Sequence, residues 1–386
     1  MEAISKKVKV TLAEEGMRSF AEQVRESSHG GKVLLFAQEG RTGDDARAAL
    51  ALAGMKVVRQ DLNRAVLSDY SILSDRAYPE DCMAVAGVGG AAQMEAAKTV
   101  RLGKQAARIL YPTELGALCA LDERSFFATK GEFLMLRSEG HSVLFDQKAL
   151  CAAKDVRAGL GLLLARLIEE TDGVYEALIR EGKSPASALG VLRKRFRTAG
   201  SLREEECAAG VARVAFSLLG ETPLSAGESA HLLAIAAAKQ TGGQYPDFLF
   251  TAAYCLYDLY LHYLNKLPLE HCPPPDRARS VDALGEMGWD SSVLYANGKL
   301  FAEGYEARAK ATAEYREDFS EALREDFPFV SYTRLYRRAP REKDGKRLSA
   351  RDLLALLSLT GEAVSGYPLL RHIKMTGILE PLLIAG

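Results

Sequence analysis

The sequence predicts an α/β N-terminal part built on a parallel sheet and an all-α C-terminal part, and three observations carry that expectation. Short apolar runs alternate with helical stretches as far as residue 146. One of those runs, residues 83–85, breaks into Gly87, Gly89 and Gly90 and restarts as an alanine-rich helix. From Lys148 onward apolar residues recur at three- and four-residue intervals, the period of helices that bury one face. The expected division is therefore 1–150 for the α/β part and 151–386 for the helical part.

Taken in order, Val8-Lys-Val-Thr11 reads as a short strand and residues 12–26 as a helix, broken by Ser27-Ser-His-Gly-Gly31. Lys32-Val-Leu-Leu-Phe-Ala37 is short, apolar and bounded by glycine, the pattern of a buried parallel strand. A helix follows over 44–53, and Met55-Lys-Val-Val58 begins the next strand after Gly54. Beyond the glycine turn, a helix over 91–103 leads to Arg108-Ile-Leu-Tyr-Pro-Thr113, a fourth strand of the unit. Residues 125–130 and 134–137 read as two more strands, and His141-Ser-Val-Leu-Phe-Asp146 as the last. Helices are then expected over 156–170, 173–181, 184–198, 201–219, 227–241, 249–264, 306–323 and 350–359. Cys272-Pro-Pro-Pro275 reads as a rigid loop. The stretch 332–351, rich in Arg and Lys, reads as a solvated loop.

The chain as a whole excludes several classes. Its 386 residues allow two or three domains, and 48% hydrophobic with 26% charged residues is ordinary for a globular protein. A formal charge of −1 gives no pull toward nucleic acid or an anionic membrane, and the mixed cluster from Arg193 to Glu206 reads as paired surface. Six scattered cysteines without CxxC spacing suit a reducing, cytoplasmic setting. No signal peptide or apolar run of membrane-spanning length is read. A homo-oligomer is compatible with the chain and not specified by it.

The glycine turn carries the chemistry. Glycines let a backbone approach an anion, and the free N–H groups and positive end of the following helix face it. The stretch from Val85 to Lys98 resembles the Gly-Gly-Gly-Ser-x-x-Asp-x-x-Lys fingerprint of the superfamily of iron-containing alcohol dehydrogenases, glycerol and glycerol-1-phosphate dehydrogenases and dehydroquinate synthase. Gly89, Gly90 and Lys98 match it, whereas Ala91, Ala92 and Glu95 stand where the fingerprint has Gly, Ser and Asp. The strand ending in Pro112-Thr113 and the Phe145-Asp146 crossover are similar to the same family. The resemblance implies a Rossmann-like domain plus a helical domain, the dehydroquinate synthase-like fold. It implies NAD or NADP held by Gly87, Gly89, Gly90, Lys98 and Thr113, with a small molecule in the interdomain cleft. Gln38 and Glu39 stand nearest the family's ribose-orienting acidic position and do not choose between the two nucleotides. After Thr113, residues Gly116, Ala117 and Leu118 replace expected hydroxyls and a carboxylate.

Dehydrogenases of that superfamily hold Zn²⁺ or Fe²⁺ with one Asp and two His. The resemblance places the Asp at Leu162, after Ala158-Gly159-Leu160-Gly161, and the second His at Gly242; neither residue has a side-chain donor. Only His231, in Gly227-Glu-Ser-Ala-His231, matches. No metal is expected at this set. Asp258 with His262, His271 and Asp172 are the substitutes considered, and each stands far along the chain from the expected place. Three functions compete: an NAD(P)-dependent oxidoreductase acting on a small alcohol or ketone, phosphorylated or not, with His231 facing the substrate; a non-catalytic relative binding a nucleotide or a protein partner; and a dehydroquinate synthase-like cyclase.

Overall fold

The computed structural model describes residues 3–4, 8–13, 15–63, 67, 69–102, 106–128, 133–181, 186–203, 207–219, 228–242, 245–264, 277–286, 313, 315–339, 348–364, 368–375 and 379. Its α/β part runs β1 (Ala3–Ile4), β2 (Val8–Leu12), α1 (Met17–Ser28), β3 (Val33–Ala37), α2 (Arg41–Leu52), β4 (Val57–Asp61) and α3 (Ser71–Ser74). It continues through β5 (Ala84–Gly89), α4 (Ala91–Thr99), β6 (Ala107–Pro112), a 3₁₀ segment (Leu115–Leu121), β7 (Arg124–Ala128), β8 (Phe133–Arg137) and β9 (His141–Phe145).

Seven strands form one sheet in the order β1-β2-β9-β6-β5-β3-β4, and β7 pairs with β8 in a separate antiparallel hairpin. Every pairing in the large sheet is parallel except the edge pair β1–β2. Alternation along the strands divides the side chains between two faces. Val33, Leu35, Ala84, Ala86, Val88 and Ile109 pack under α1 and α2 with Phe20, Val24 and Leu50. Leu34, Phe36, Val85 and Leu110 face the opposite side with Ala96 and Ala97 of α4. A sheet buried on both faces explains why these strands read as unbroken apolar runs.

Asp146 turns the chain out of the sheet. Its carboxylate accepts from the Ala149 N–H at 3.0 Å, capping α5 (Gln147–Cys151), and from the Tyr111 hydroxyl at 2.6 Å. The helical part then comprises α6 (Val156–Glu181), α7 (Ala186–Gly200), α8 (Cys207–Leu219), α9 (Ser229–Thr241), α10 (Tyr245–Tyr263), α11 (Arg277–Glu286), α12 (Arg316–Glu321), α13 (Phe329–Arg338), α14 (Ala350–Ala363) and α15 (Leu369–Met375). Helix α6 is the axis, packed on α7, α8, α9 and α10. The crossing of α6 and α10 is close enough that a Cβ on Gly161 would come within 3.0 Å of the Phe250 backbone nitrogen.

Several expected boundaries move. Helix α1 starts at Met17, because β2 extends to Leu12 and the chain turns at Gly16, φ 56°. Residues 156–170 and 173–181 are one helix, α6: the Thr171 hydroxyl donates to the Leu167 carbonyl within it, and Asp172 is buried. Helix α8 begins at Cys207, and part of the expected basic loop is helical as α13, with Tyr332 and Leu335 buried. The proline loop at 272–275 and His271 lie outside the described residues. Among the described residues no helix is long and apolar enough to cross a membrane.

Candidate functional site

The glycine turn sits at the carboxyl end of β5, where open α/β sheets bind ligands. Each glycine is there for its own reason. A Cβ on Gly87 would stand 2.9 Å from both Ala97 Cβ and the Gln93 carbonyl, so this glycine brings α4 down onto the sheet. Gly89 has φ 127°, a conformation other residues rarely adopt. Gly90 is extended, and a Cβ on it would meet Glu114 Oε2 at 2.6 Å. Gln93 ties the strand ends together: its side-chain Oε1 accepts from Gly90 N–H at 3.1 Å, and its Nε2 donates to Leu62 O at 2.6 Å.

Two expected cofactor residues lie close to this turn and one does not. Thr113 adjoins it, its N–H donating to the Gly89 carbonyl at 3.0 Å. Gln38 packs on Gly89, 3.2 Å from the Cβ it would carry. Lys98 instead is buried, its ammonium donating to the carbonyls of Arg124 (2.6 Å), Cys119 (3.0 Å) and Asp122 (3.2 Å) and pairing with Glu95 at 3.0 Å. That ammonium pins the 3₁₀ segment and the start of β7 onto α4.

Below the turn, a narrow pocket of about 20 Å³ lies between the two parts of the molecule. Glu95, Asp122, Arg124 and Phe126 line it from the α/β side. Leu162, Arg166 and Glu169, at i, i+4 and i+7 on α6, line it from the helical side together with His231 and Tyr245. Buried ion pairs join the two walls. Asp122 Oδ2 pairs with Arg124 Nη2 at 2.8 Å and with Arg166 Nη1 at 3.0 Å. Arg124 reaches Glu169 Oε2 at 3.1 Å, and Arg166 reaches Glu170 Oε1 at 2.6 Å. Glu170 also pairs with Arg195. His231 Nδ1 pairs with Glu169 Oε1, and its ring stacks on Phe126 with centroids 3.8 Å apart.

Burial would raise the Asp122 carboxyl, but Arg124 and Arg166 outweigh it and hold the group well below the carboxylate range. Glu170 is shifted upward by burial, against Arg166 and Arg195. Burial, reinforced by nearby Glu95 and Cys119, pushes the Tyr245 phenol well above its usual value. A tyrosine so placed stays a neutral hydrogen-bond donor.

The expected metal set does not fit a metal. Leu162 reaches the cleft with a hydrocarbon side chain. Gly242 is the exposed, left-handed C-cap of α9, φ 66°, a place that favours glycine on backbone grounds. His231 is engaged by Glu169 through Nδ1, and the carboxylates around it are neutralised by arginines. Among the described residues no group of three or more His, Cys, Asp or Glu is placed to hold a metal ion. The substitutes do not gather either. Asp258 and His262 are exposed on α10. Asp172 is buried elsewhere, accepting from Ser229 Oγ (2.6 Å), Tyr260 Oη (2.7 Å) and Leu369 N–H (3.1 Å).

Sequence reasoning passed over Asp122, Arg124, Arg166, Glu169, Tyr245 and Glu114. For Arg166 a signal was present: it is a lone charge inside the run Leu162-Leu-Leu-Ala-Arg-Leu-Ile168, where an unpaired guanidinium would be costly. Asp122 and Arg124 gave none, because short polar residues at a strand start usually mark a turn.

No protein-family model matches the chain, and no curated protein matches it in sequence. Solved structures do match it in shape. A maleylacetate reductase from Agrobacterium tumefaciens superposes with a TM-score of 0.57 over 99% of this chain and 96% of that one, at 16% identity. An iron-containing alcohol dehydrogenase from Thermotoga maritima gives 0.57 over 100% of both chains at 11% identity. One from Corynebacterium glutamicum gives 0.57 over 99% and 95% at 14%.

Proposed function

We propose that this chain, which has the fold of the iron-containing alcohol dehydrogenases with an α/β domain joined to an all-α domain, is a divergent member of that superfamily whose interdomain cleft takes a nucleotide and a small molecule without metal-assisted hydride transfer. One observation carries the reading. Where the resemblance calls for a metal held between α6 and α9, the cleft instead holds Leu162 and a buried network joining Asp122, Arg124, Arg166, Glu169 and His231.

In the metal-bearing relatives the ion would polarise a substrate oxygen as a Lewis acid. The present residues already balance charge against charge, so adding a divalent cation would require breaking the arginine pairs. NAD or NADP is the nucleotide the resemblance implies, with Gly89, Gly90 and Thr113 at its pyrophosphate. A cyclase of the dehydroquinate synthase kind would need the same metal, and Leu162 and Gly242 count against it equally.

The test is metal analysis of protein purified without added metal, with nicotinamide absorbance followed over a panel of small alcohols and ketones. The expected result is far less than one zinc or iron per chain and no stimulation by either. One tightly held ion per chain together with turnover would overturn the reading.

The Glu169–His231 pair supports a second reading, a metal-independent NAD(P) oxidoreductase. There His231, oriented through Nδ1, would take the hydroxyl proton at Nε2 while hydride passes to the nicotinamide. Turnover that survives a chelator and disappears in His231→Ala would favour it over simple binding.

A further inference from the structure

We propose that Tyr245 is a specificity-determining residue, the hydrogen-bond donor of a subsite shared with His231 and Glu95 that holds one uncharged hydroxyl of the small ligand. The proposal rests on the cleft reading above and deepens it by naming the group that is held.

Three polar groups in the wall of the pocket keep hydrogen-bonding capacity. Tyr245 opens α10 and is 3% exposed. The groups that act on its phenol, Glu95, Cys119, Glu169 and Asp122, all line the pocket, which places the hydroxyl there. Among the described residues that hydroxyl makes no hydrogen bond. His231 is 5% exposed and held from two sides, by Phe126 stacked on its ring and by Glu169 at Nδ1. A carboxylate accepts, so in a neutral imidazole Nδ1 is the donor and Nε2 keeps the lone pair. Nε2 has no partner among the described residues. Glu95 is 1% exposed; its Oε2 pairs with Lys98 at 3.0 Å, and its Oε1 is buried without a hydrogen bond.

Unmatched polar groups in a buried wall are costly, and the space beside these suits one oxygen. The pocket of about 20 Å³ exceeds the roughly 10–15 Å³ that a single water needs, so it admits one group of that size. The rings of His231 and Tyr245 have centroids 6.1 Å apart, so one oxygen between them can meet both. A hydroxyl matches the set in kind: its oxygen accepts from Tyr245, and its proton goes to His231 Nε2 or Glu95 Oε1. A ligand carboxylate has no proton to give and would face Glu95. Arg124 and Arg166 offer it little, because Asp122, Glu169 and Glu170 already balance them. Asp122, its side chain 11% exposed, is the one lining residue that is not fully buried, and it marks the side from which a ligand enters.

The experiment is a ligand-observed NMR titration of wild type and Tyr245→Phe with ethylene glycol and glycolate, which differ at one end only, and with NAD⁺ as control. Wild type should bind ethylene glycol about tenfold more tightly than glycolate. Tyr245→Phe should bind ethylene glycol about tenfold more weakly, the scale of one lost hydrogen bond, with NAD⁺ unchanged. Melting curves separate this role from a structural one. A hydroxyl without a protein partner can be removed without lowering the midpoint, and a lower midpoint in the variant would overturn the proposal. Equal affinity of the two proteins for ethylene glycol would overturn the role of Tyr245, and glycolate bound as tightly as the glycol would overturn the preference for an uncharged group. Binding of NAD⁺ alone would mean that the pocket holds only water, overturning the subsite and leaving the nucleotide cleft standing. Failure to bind any of the three would overturn the cleft reading and this proposal with it.

Discussion

Leu162 and Arg166 lie one turn apart on the cleft face of α6, and the contrast between them shapes what the cleft can hold. Leucine offers no electron pair to a metal. The arginine supplies a fixed positive charge that Asp122 and Glu170 already satisfy. Such buried pairs stabilise little in total, because desolvation offsets the attraction, yet removing one partner strands the other. Arg124→Ala should therefore cost about 3–5 kcal/mol in urea unfolding, since Asp122 and Glu169 both lose a partner. A loss within ordinary surface range would show that the pairs are solvated in solution. Much of this scale was closed to sequence reading. Leu162 and Gly242 were visible as missing donors, but the pairing of Arg124 with Glu169 joins residues 45 apart in sequence, which no spacing rule reports.

At the scale of the elements, the stretch Ala158-Gly159-Leu160-Gly161 is set by helix packing. Gly159 and Gly161 are packing residues: a Cβ on Gly159 would stand 2.7 Å from Val211 Cγ1, and one on Gly161 3.0 Å from the Phe250 nitrogen. Gly161→Ala should push α6 from α10 and destabilise by about 1–3 kcal/mol. Gly190→Ala, in α7 with nothing within 4 Å of its Cβ, should stabilise by about 0.5–1 kcal/mol. Equal effects of the two, read from thermal melts, would contradict this account of the crossing. Asp172 binds elements together in another way, accepting hydrogen bonds from α9, α10 and α15. Burial pushes its carboxyl up to about 7, outweighing the hydrogen bonds from Ser229, Tyr260 and Leu369 that favour the charged form. A folded pKa above the unfolded one means that the folded state holds the proton more tightly. The contribution is therefore full below about pH 4 and lost as pH rises through about 7, on the order of a few kcal/mol. Asp172→Asn should flatten the decline of Tm over that window; an unchanged pH profile would remove Asp172 as its source. Element types were largely legible because period-two and period-3.6 patterns are strong in buried strands and long helices. The join of 156–170 to 173–181 was not, because Thr171-Asp172 looks like a break until Asp172 is seen to be satisfied by other helices.

At the scale of the molecule, the chain superposes on solved maleylacetate reductase and alcohol dehydrogenase structures over 99–100% of its length at 11–16% identity. A fold can persist in this way because its core and its site are separate sets of residues. The sequence showed the architecture and the worn fingerprint together. It could not show that Lys98 is spent on three backbone carbonyls, or that the Glu114 carboxylate lies against Gly90. The measurement that tests the central claim most directly is a thermal melt with NAD⁺, NADH, NADP⁺ and NADPH, each with and without Zn²⁺. A ligand at about 100 times its dissociation constant adds about 2.7 kcal/mol to the folded state, enough to move the midpoint. The expected result is a nucleotide shift indifferent to zinc; a shift that grows with zinc would contradict the proposed function and show a working metal site in this cleft.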